Sequence, residues 1–307
     1  MLFICITICA GFINGCPKRD SDKPRIALVM KSLANEFFKT MEEGAKSHHA
    51  EHVDEYDLIA VGIKDELDVG RQIDLVEQMI AQGVTAIVIA PADSKALVAV
   101  CKQAMDAGIV VVNIDNKLDA QVLADKKIKI PFVGPDNRKG ARLAGQYLAE
   151  RLKPSDKVAI IEGAPNAFNA IQRKFGFEGA MKAGRMNIIT SQTGNWETAK
   201  ANQIASAIVS EHTDLKAILC ANDSMALGAV AALRAAGKTE DIKVIGFDNI
   251  SAVQRLLKEG KVLCTVDQHG DKLAIFGIEY ALEMIRHGGA PEGRETPVDL
   301  ITAETIN

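Results

Sequence analysis

From Pro24 onward, short apolar runs rich in β-branched residues alternate with stretches whose apolar positions recur at helical spacing. The runs Ile26–Met30, Leu58–Val61, Ala86–Ala90 and Ile109–Ile114 read as strands. Between them, Phe37–His49 reads as an amphipathic helix, and Ile73, Leu75, Val76, Met79 and Ile80 share one face of a second. A third helix is predicted after Asp93 and Ser94, whose side chains can accept from its free backbone donors. A longer polar connection then leads to Phe132–Gly134.

The alternation restarts beyond that point. Helices are predicted near residues 141–152, 170–182, 196–209 and 224–236, with Asp223 capping the last. Strands are predicted at Val158–Ile161, Ile188–Thr190, Ala217–Cys220 and Val244–Phe247. Strands apolar on both faces and separated by helices are the pattern of parallel sheets covered on both sides. Two such series predict an α/β chain of two doubly wound parallel-sheet lobes. No Pro- or Gly-rich linker divides the series, so short crossings are expected.

A chain of 307 residues that is 48% apolar can bury two cores. The formal charge is −4 with acids and bases interspersed, which leaves no basic face for nucleic acid. Met1–Gly15 carries no charged side chain and is too short to span a bilayer, but it fits the apolar core of a signal peptide. Gly15-Cys16 at its end, before a polar stretch, resembles a bacterial lipoprotein signal in which Cys16 becomes the acylated first residue. Two departures are the lack of a preceding Lys or Arg and the presence of Asn14. The expectation is a signal peptide over 1–16, a linker over 17–24, and export to the periplasm or cell envelope. Cys101, Cys220 and Cys264 sit inside apolar patterns, where buried thiols are expected, with a Cys220–Cys264 bridge as the alternative. No Cys/His spacing suggests a metal, and no cofactor fingerprint occurs.

In open parallel sheets, ligands bind beyond the carboxyl ends of the strands. The residues at those ends are Asn35, Phe37, Phe38, Asp115, Asn116, Asn222, Asp248 and Gln268, with Arg173 and Trp196 early in the segments after their strands. Carboxylates accept hydroxyl protons, amides donate and accept, a guanidinium offers a planar fork, and aromatic rings cover apolar C–H faces. Singly, each has a structural reading as a helix cap or core residue. Together on one edge of two sheets, they suit a small neutral polyol.

Asn35-x-Phe37-Phe38, Arg173-x-x-Gly176-Phe177, Asn222-Asp223-x-Met225-Ala226-Leu227-Gly228, Gly246-Phe247-Asp248 and Pro297–Leu300 occur in this order. Over nearly the whole mature chain, they resemble a periplasmic sugar-binding protein of the ribose-binding type, the type I substrate-binding component of an ABC importer. The resemblance implies that Phe38 and Trp196 sandwich a sugar ring, with Phe37 in support. Asn35, Asp115, Arg173, Asn222, Asp248 and Gln268 would supply hydrogen bonds. It implies three interlobe crossings, giving one lobe of 25–134 plus 268–298 and another of 135–267 plus 299–307. A monomer that hands its sugar or polyol to a membrane permease is the expected assembly. Glu36 replaces a common Pro, and Asn116 stands where ribose binders place a second arginine, which leaves hexoses, other pentoses and polyols open. Asn166 and Asn169 are further candidate ligands.

A sugar-sensing repressor needs a helix-turn-helix headpiece, and no segment here reads as one. An enzyme is a second alternative, because Asp115 and Asp248 face one another across the predicted cleft and paired carboxylates can hydrolyse glycosides. No nucleophile elbow or metal cluster accompanies them, and Arg173 with the amides is expected to keep them ionised. A sensor presenting its closed form to a chemoreceptor or kinase would have the same ligand chemistry.

Overall fold

The computed structural model describes residues 23–289 and 292–306. Cys16 and the apolar segment before it lie outside the described residues. The first half contains β1 (Arg25–Ser32), α1 (Glu36–Glu51), β2 (Asp57–Ile63), α2 (Val69–Ala81), β3 (Ala86–Ile89), α3 (Leu97–Asp106), β4 (Val110–Ile114), α4 (Ala120–Asp125) and β5 (Phe132–Pro135). The second contains α5 (Asn137–Ala149), β6 (Lys157–Glu162), α6 (Phe168–Ala183), β7 (Asn187–Thr193), α7 (Thr198–Glu211), β8 (Leu215–Cys220), α8 (Asp223–Ala235), β9 (Lys243–Ile245), α9 (Ser251–Lys258) and β10 (Cys264–Asp267). The chain ends with α10 (Gly270–His287), β11 (Arg294–Thr296) and β12 (Asp299–Thr302).

Two sheets result, in the orders β11-β5-β4-β3-β1-β2 and β12-β10-β9-β8-β6-β7. Every paired neighbour is parallel except β12, which runs antiparallel to β10 and closes the second sheet's edge. The chain passes from the first sheet to the second after β5, returns to the first lobe after β10, where α10 packs on α1, β3 and β4, and passes again between β11 and β12. Alternation within β1 explains why both sheet faces are covered. Ile26, Leu28 and Met30 enter one core, and Ala27 and Val29 enter another.

Local chemistry moves several predicted boundaries. The helix expected from 141 begins at Asn137, because Asp136 accepts from Lys139 N and caps it. The helix expected from 196 begins at Thr198, because Asn195 and Trp196 have φ of 53° and 70°, outside the helical region. The polar connection between β4 and β5 holds the short helix α4, capped by Asp119. Asn222, not Asp223, caps α8, accepting from Met225 N; Asp223 is instead fully buried. Cys220 and Cys264 are free buried thiols on strands separated by β9, so they form no bridge.

Candidate functional site

In each sheet the order reverses about one strand, at β1/β3 in the first and β6/β8 in the second, and crevices open at such switch points. The two crevices face one another. A cavity of about 20 Å³ between them is lined by Lys31, Asn35, Phe37, Phe38, Glu66, Asp115, Asn169, Arg173, Trp196, Asn222, Asp248 and Gln268. Nine of the ten residues predicted for the cleft are among these, and Asn116 is not. Its amide nitrogen donates to Pro91 O at 2.8 Å, which turns its oxygen away from the cleft to accept from Asn169 N at 3.1 Å. Asn116 thus joins the lobes behind the cleft.

On the first-lobe wall, Asn35 caps α1 through its oxygen and donates its amide to Glu66 Oε1 at 3.0 Å. Lys31 projects from the end of β1, 3% exposed, with its ammonium 3.2 Å from Asp115 Oδ2. The same ammonium lies 5.4 Å from the Phe38 ring centroid and 5.5 Å from that of Trp196, so a cation occupies the gap between the two rings predicted to form a sandwich. Burial pushes the Glu66 carboxyl above its ordinary range; the nearby Lys31 charge and the Asn35 hydrogen bond oppose this.

On the second-lobe wall, Arg173 is held on three sides. Its Nε donates to Asn137 Oδ1 at 2.7 Å, Nη1 donates to Ala221 O at 2.9 Å, and the guanidinium stacks 3.6 Å from the Phe247 centroid. Asp248 Oδ1 lies 3.4 Å from Arg173 Nη1 and accepts from Gln268 Nε2 at 2.7 Å. Burial pushes Asp248 well above the carboxylate range, against the opposing pull of Arg173. Desolvation thus opposes the ionisation that Arg173 and the amide of Gln268 favour.

Asp115, Trp196 and Asp248 have φ of 59°, 70° and 121°, in the left-handed region that favours glycine. Such backbone is sustained only where surrounding structure over-determines it. Gly163 contributes directly for Trp196, because a Cβ there would collide with the indole ring. Asp223 does so for Asp248. Its carboxylate accepts from Ile250 N at 3.0 Å and from Thr265 Oγ1 at 2.7 Å, pinning the loop that carries Asp248.

Four buried side-chain oxygens of residues that line the cavity have no hydrogen-bond partner among the described residues: Glu66 Oε2, Asp115 Oδ2, Asn169 Oδ1 and Gln268 Oε1. The Lys31–Asp115 contact is an ion pair without hydrogen-bond alignment. A larger cavity, about 630 Å³, opens beside β5, β11 and the start of α6. Its charged residues Lys117, Lys129, Asp136, Glu292, Arg294 and Glu295 are exposed, and none of the unpartnered oxygens lines it. The convergence of buried acceptors favours the smaller site.

Lys31, Glu66 and Asn169 extend the set of ten. Asn169 was a subsidiary expectation, whereas Lys31 and Glu66 were overlooked. Both follow the strand-end rule: Lys31 is the penultimate residue of β1, and Glu66 lies three residues beyond β2. Asn166 is not in the cleft wall; it donates to Asp93 Oδ2 across the lobes. Among the described residues, no group of three His, Cys, Asp or Glu side chains is arranged to hold a metal ion.

A periplasmic binding protein domain matches residues 26–290. The D-ribose/D-allose-binding protein of Pseudomonas aeruginosa is 58% identical over 98% of this chain and 96% of its own length. The ribose import binding protein of Salmonella typhimurium is 30% identical over 91% of this chain and 90% of its own. Among solved structures, an ABC transporter solute-binding protein from Burkholderia multivorans superposes with a TM-score of 0.90 at 57% identity, covering 92% of this chain and 100% of that one. One from Actinobacillus succinogenes with bound D-allose gives 0.87 at 35% identity, covering 92% and 98%. With the domain matching from the first strand to the last helix, on two doubly wound lobes that meet at their switch points, this chain belongs to the periplasmic binding protein domain family.

Proposed function

We propose that the protein captures a monosaccharide or closely related polyol between its lobes and delivers it to an ABC importer in the membrane. The observation that carries this reading is the set of four buried acceptor oxygens on one cavity that accept no hydrogen bond among the described residues, one of them, Asp115 Oδ2, meeting only the Lys31 ammonium. Each orphaned buried acceptor costs about 1–3 kcal/mol, and a ligand rich in hydroxyl donors removes that cost at Glu66, Asn169 and Gln268 together and offers Asp115 an aligned donor. The names of the relatives, D-ribose/D-allose-binding and ribose import binding, are consistent with such a ligand.

A cavity of about 20 Å³ is far below the ~300–1,000 Å³ of typical ligand sites. Ligand entry therefore requires the lobes, 25–134 with 268–298 and 135–267 with 299–307, to part about their three crossings. The Lys31 ammonium leaves the space between Phe38 and Trp196 as the sugar ring enters it. Nine of the ten cleft residues named from sequence act as ligands in this reading, with Lys31, Glu66 and Asn169 added and Asn116 removed. The protein binds without turning its ligand over, works as an exported monomer, and is tethered through Cys16.

A thermal-shift screen with D-ribose, D-allose, other pentoses and hexoses, and inositols tests this. A ligand that binds only the folded state at 100 times its Kd adds about 2.7 kcal/mol of stability, so a clear rise in Tm is expected with one of them. No rise with any of these compounds would sink the proposal, and hydrolysis of an aryl glycoside lost in Asp248→Ala would replace it with an enzyme.

A further inference from the structure

The helices α6 and α9 of the second lobe begin without a side-chain cap of their own, because their N-cap positions are Ala167 and Ile250. Side chains of the first lobe complete them. Ser94 Oγ accepts from Phe168 N, the first residue of α6, at 2.9 Å. Asn116 Oδ1 accepts from the next, Asn169 N, at 3.1 Å, and Ser94 Oγ–H donates to the same oxygen at 3.3 Å. On the opposite rim, Glu36 Oε1 accepts from Ser251 N, the first residue of α9, at 2.8 Å. A carboxylate at a helix N-terminus is also favoured by the helix dipole.

None of these three contacts survives separation of the lobes. They are formed only in the closed arrangement, and each satisfies a backbone donor that the second lobe leaves to solvent when alone. Ser94 and Asn116 are 5% and 0% exposed, so their bonds are shielded from water, whereas the Glu36 contact lies on the open rim. Asn116 has a second effect: by holding Asn169 N, it fixes the residue whose unpartnered Oδ1 lines the cavity.

We infer that Ser94, Asn116 and Glu36 are positioning residues for closure, capping the second lobe's helices from the first lobe and so setting how long a ligand is retained without touching it. This rests on the sugar-capture reading, but the geometry that carries it does not include the ligand. Because the contacts form after the ligand has entered, their removal acts on release. Capture still depends on the cleft walls, which are unchanged.

The test uses stopped-flow fluorescence of Trp196, the sole Trp in the chain and a member of the cleft wall, with D-ribose and D-allose as probes. In Ser94→Ala with Glu36→Ala, the dissociation rate should rise about tenfold, the scale of lost helix caps, with association no slower. Glu36→Gln, which keeps an acceptor, should restore most of the Glu36 share. Far-ultraviolet circular dichroism of the sugar-free variant should be unchanged, because these contacts join the lobes and do not build their helices. An unchanged dissociation rate, or a loss of helical signal in the sugar-free variant, would overturn the inference. Small-angle scattering in sugar-free buffer separates this from failure of the sugar reading. The wild type should be more compact than the double variant, and equal radii of gyration would count against trans-lobe capping whatever the ligand is.

Discussion

The first-lobe wall of the cleft presents Lys31, Glu66 and Asp115, and the second-lobe wall presents Arg173 and Asp248, the latter held by Gln268 from the crossing between the lobes. Both sets are buried, yet they are anchored differently. Arg173 is fixed by Asn137, by Ala221 O and by the face of Phe247, and Asp248 is fixed by Gln268. Lys31 has only a charge contact with Asp115 Oδ2 and two ring faces, that oxygen accepts no hydrogen bond, and Glu66 Oε2 has no partner. The acceptors of Glu66 and Asp115 that lack a hydrogen bond are carboxyl oxygens, and those of Asn169 and of Gln268 at the crossing are amide oxygens. One wall is therefore a preformed scaffold, and the other holds charge that a donor-rich ligand must complete. Substitutions on the scaffold should damage folding and binding together, and those on the other wall should damage binding alone.

The sharpest way to break that contrast is Arg173→Met. Removing one partner of a buried pair leaves Asp248 uncompensated and costs about 3–5 kcal/mol. Urea denaturation should register that loss, and calorimetry should find no measurable sugar binding. If Arg173→Met folded with wild-type stability, the second wall would not be a scaffold in the sense argued here.

Beneath the same wall, Asp223 supplies a test in pH. Burial pushes its carboxyl up to about 7, against the hydrogen bonds from Thr265 and the backbone of Ile250. An unfolded Asp titrates near 3.9, so between about pH 4 and pH 7 the folded state holds a proton that the unfolded state has lost. Stability from this group is accordingly present at the acid end and falls as pH rises through that window. In urea denaturation at pH 5 and pH 7, Asp223→Asn should gain on the wild type on the order of 1 kcal/mol per pH unit. A stability difference identical at both pH values would mean that Asp223 is ionised throughout.

How the two walls differ also explains which parts of the site could be read from sequence. Doubly wound lobes follow from apolar runs such as Ile26–Met30, because both faces of β1 must be covered. The strand-end rule brought Asn35, Asp115, Arg173, Trp196, Asn222, Asp248 and Gln268 to the cleft. It passed over Lys31, which continues β1 and looks like a solvated strand end until the Phe38 and Trp196 rings enclose it. Asn116 fails for a different reason. Its neighbour Asp115 lines the cleft, and only the bond from its amide to Pro91 O decides that Asn116 points the other way. Asn222 and Asp223 divide similarly: spacing identifies a cap, but the extended backbone at Asn222, φ −149° and ψ 168°, decides which of the two adjacent residues provides it. The energetics of Asp248 was equally hidden, since sequence gives its charged neighbours but not its depth.

On the first wall, Glu66→Gln, which leaves the Lys31–Asp115 pair intact, should lower sugar affinity by about 10-fold, the scale of one net hydrogen bond. Thermal melting of the sugar-free protein should move far less than in Arg173→Met. That separation is the direct measure of the contrast. Equal losses of stability in the two variants would erase it.

The smallest effect is expected at Trp196, which bridges the walls. Its ring is carried by the second lobe, 5.6 Å from the Arg173 guanidinium, yet it also faces the Lys31 ammonium of the first. If its role is to cover one face of a sugar ring, Trp196→Leu removes an aromatic contact worth about 0.5–1.5 kcal/mol beyond the buried area, or roughly 3- to 10-fold in affinity. Trp196→Phe should recover most of this, since a flat ring remains. Gly163→Ala supplies an independent probe, because the added Cβ collides with the indole and displaces it without altering its chemistry. That variant should weaken binding in parallel with Trp196→Leu. Should Trp196→Leu bind as tightly as the wild type while Gly163→Ala does not, the loop backbone rather than the ring would be what the ligand requires. Trp196 would then belong with the scaffold of the second wall.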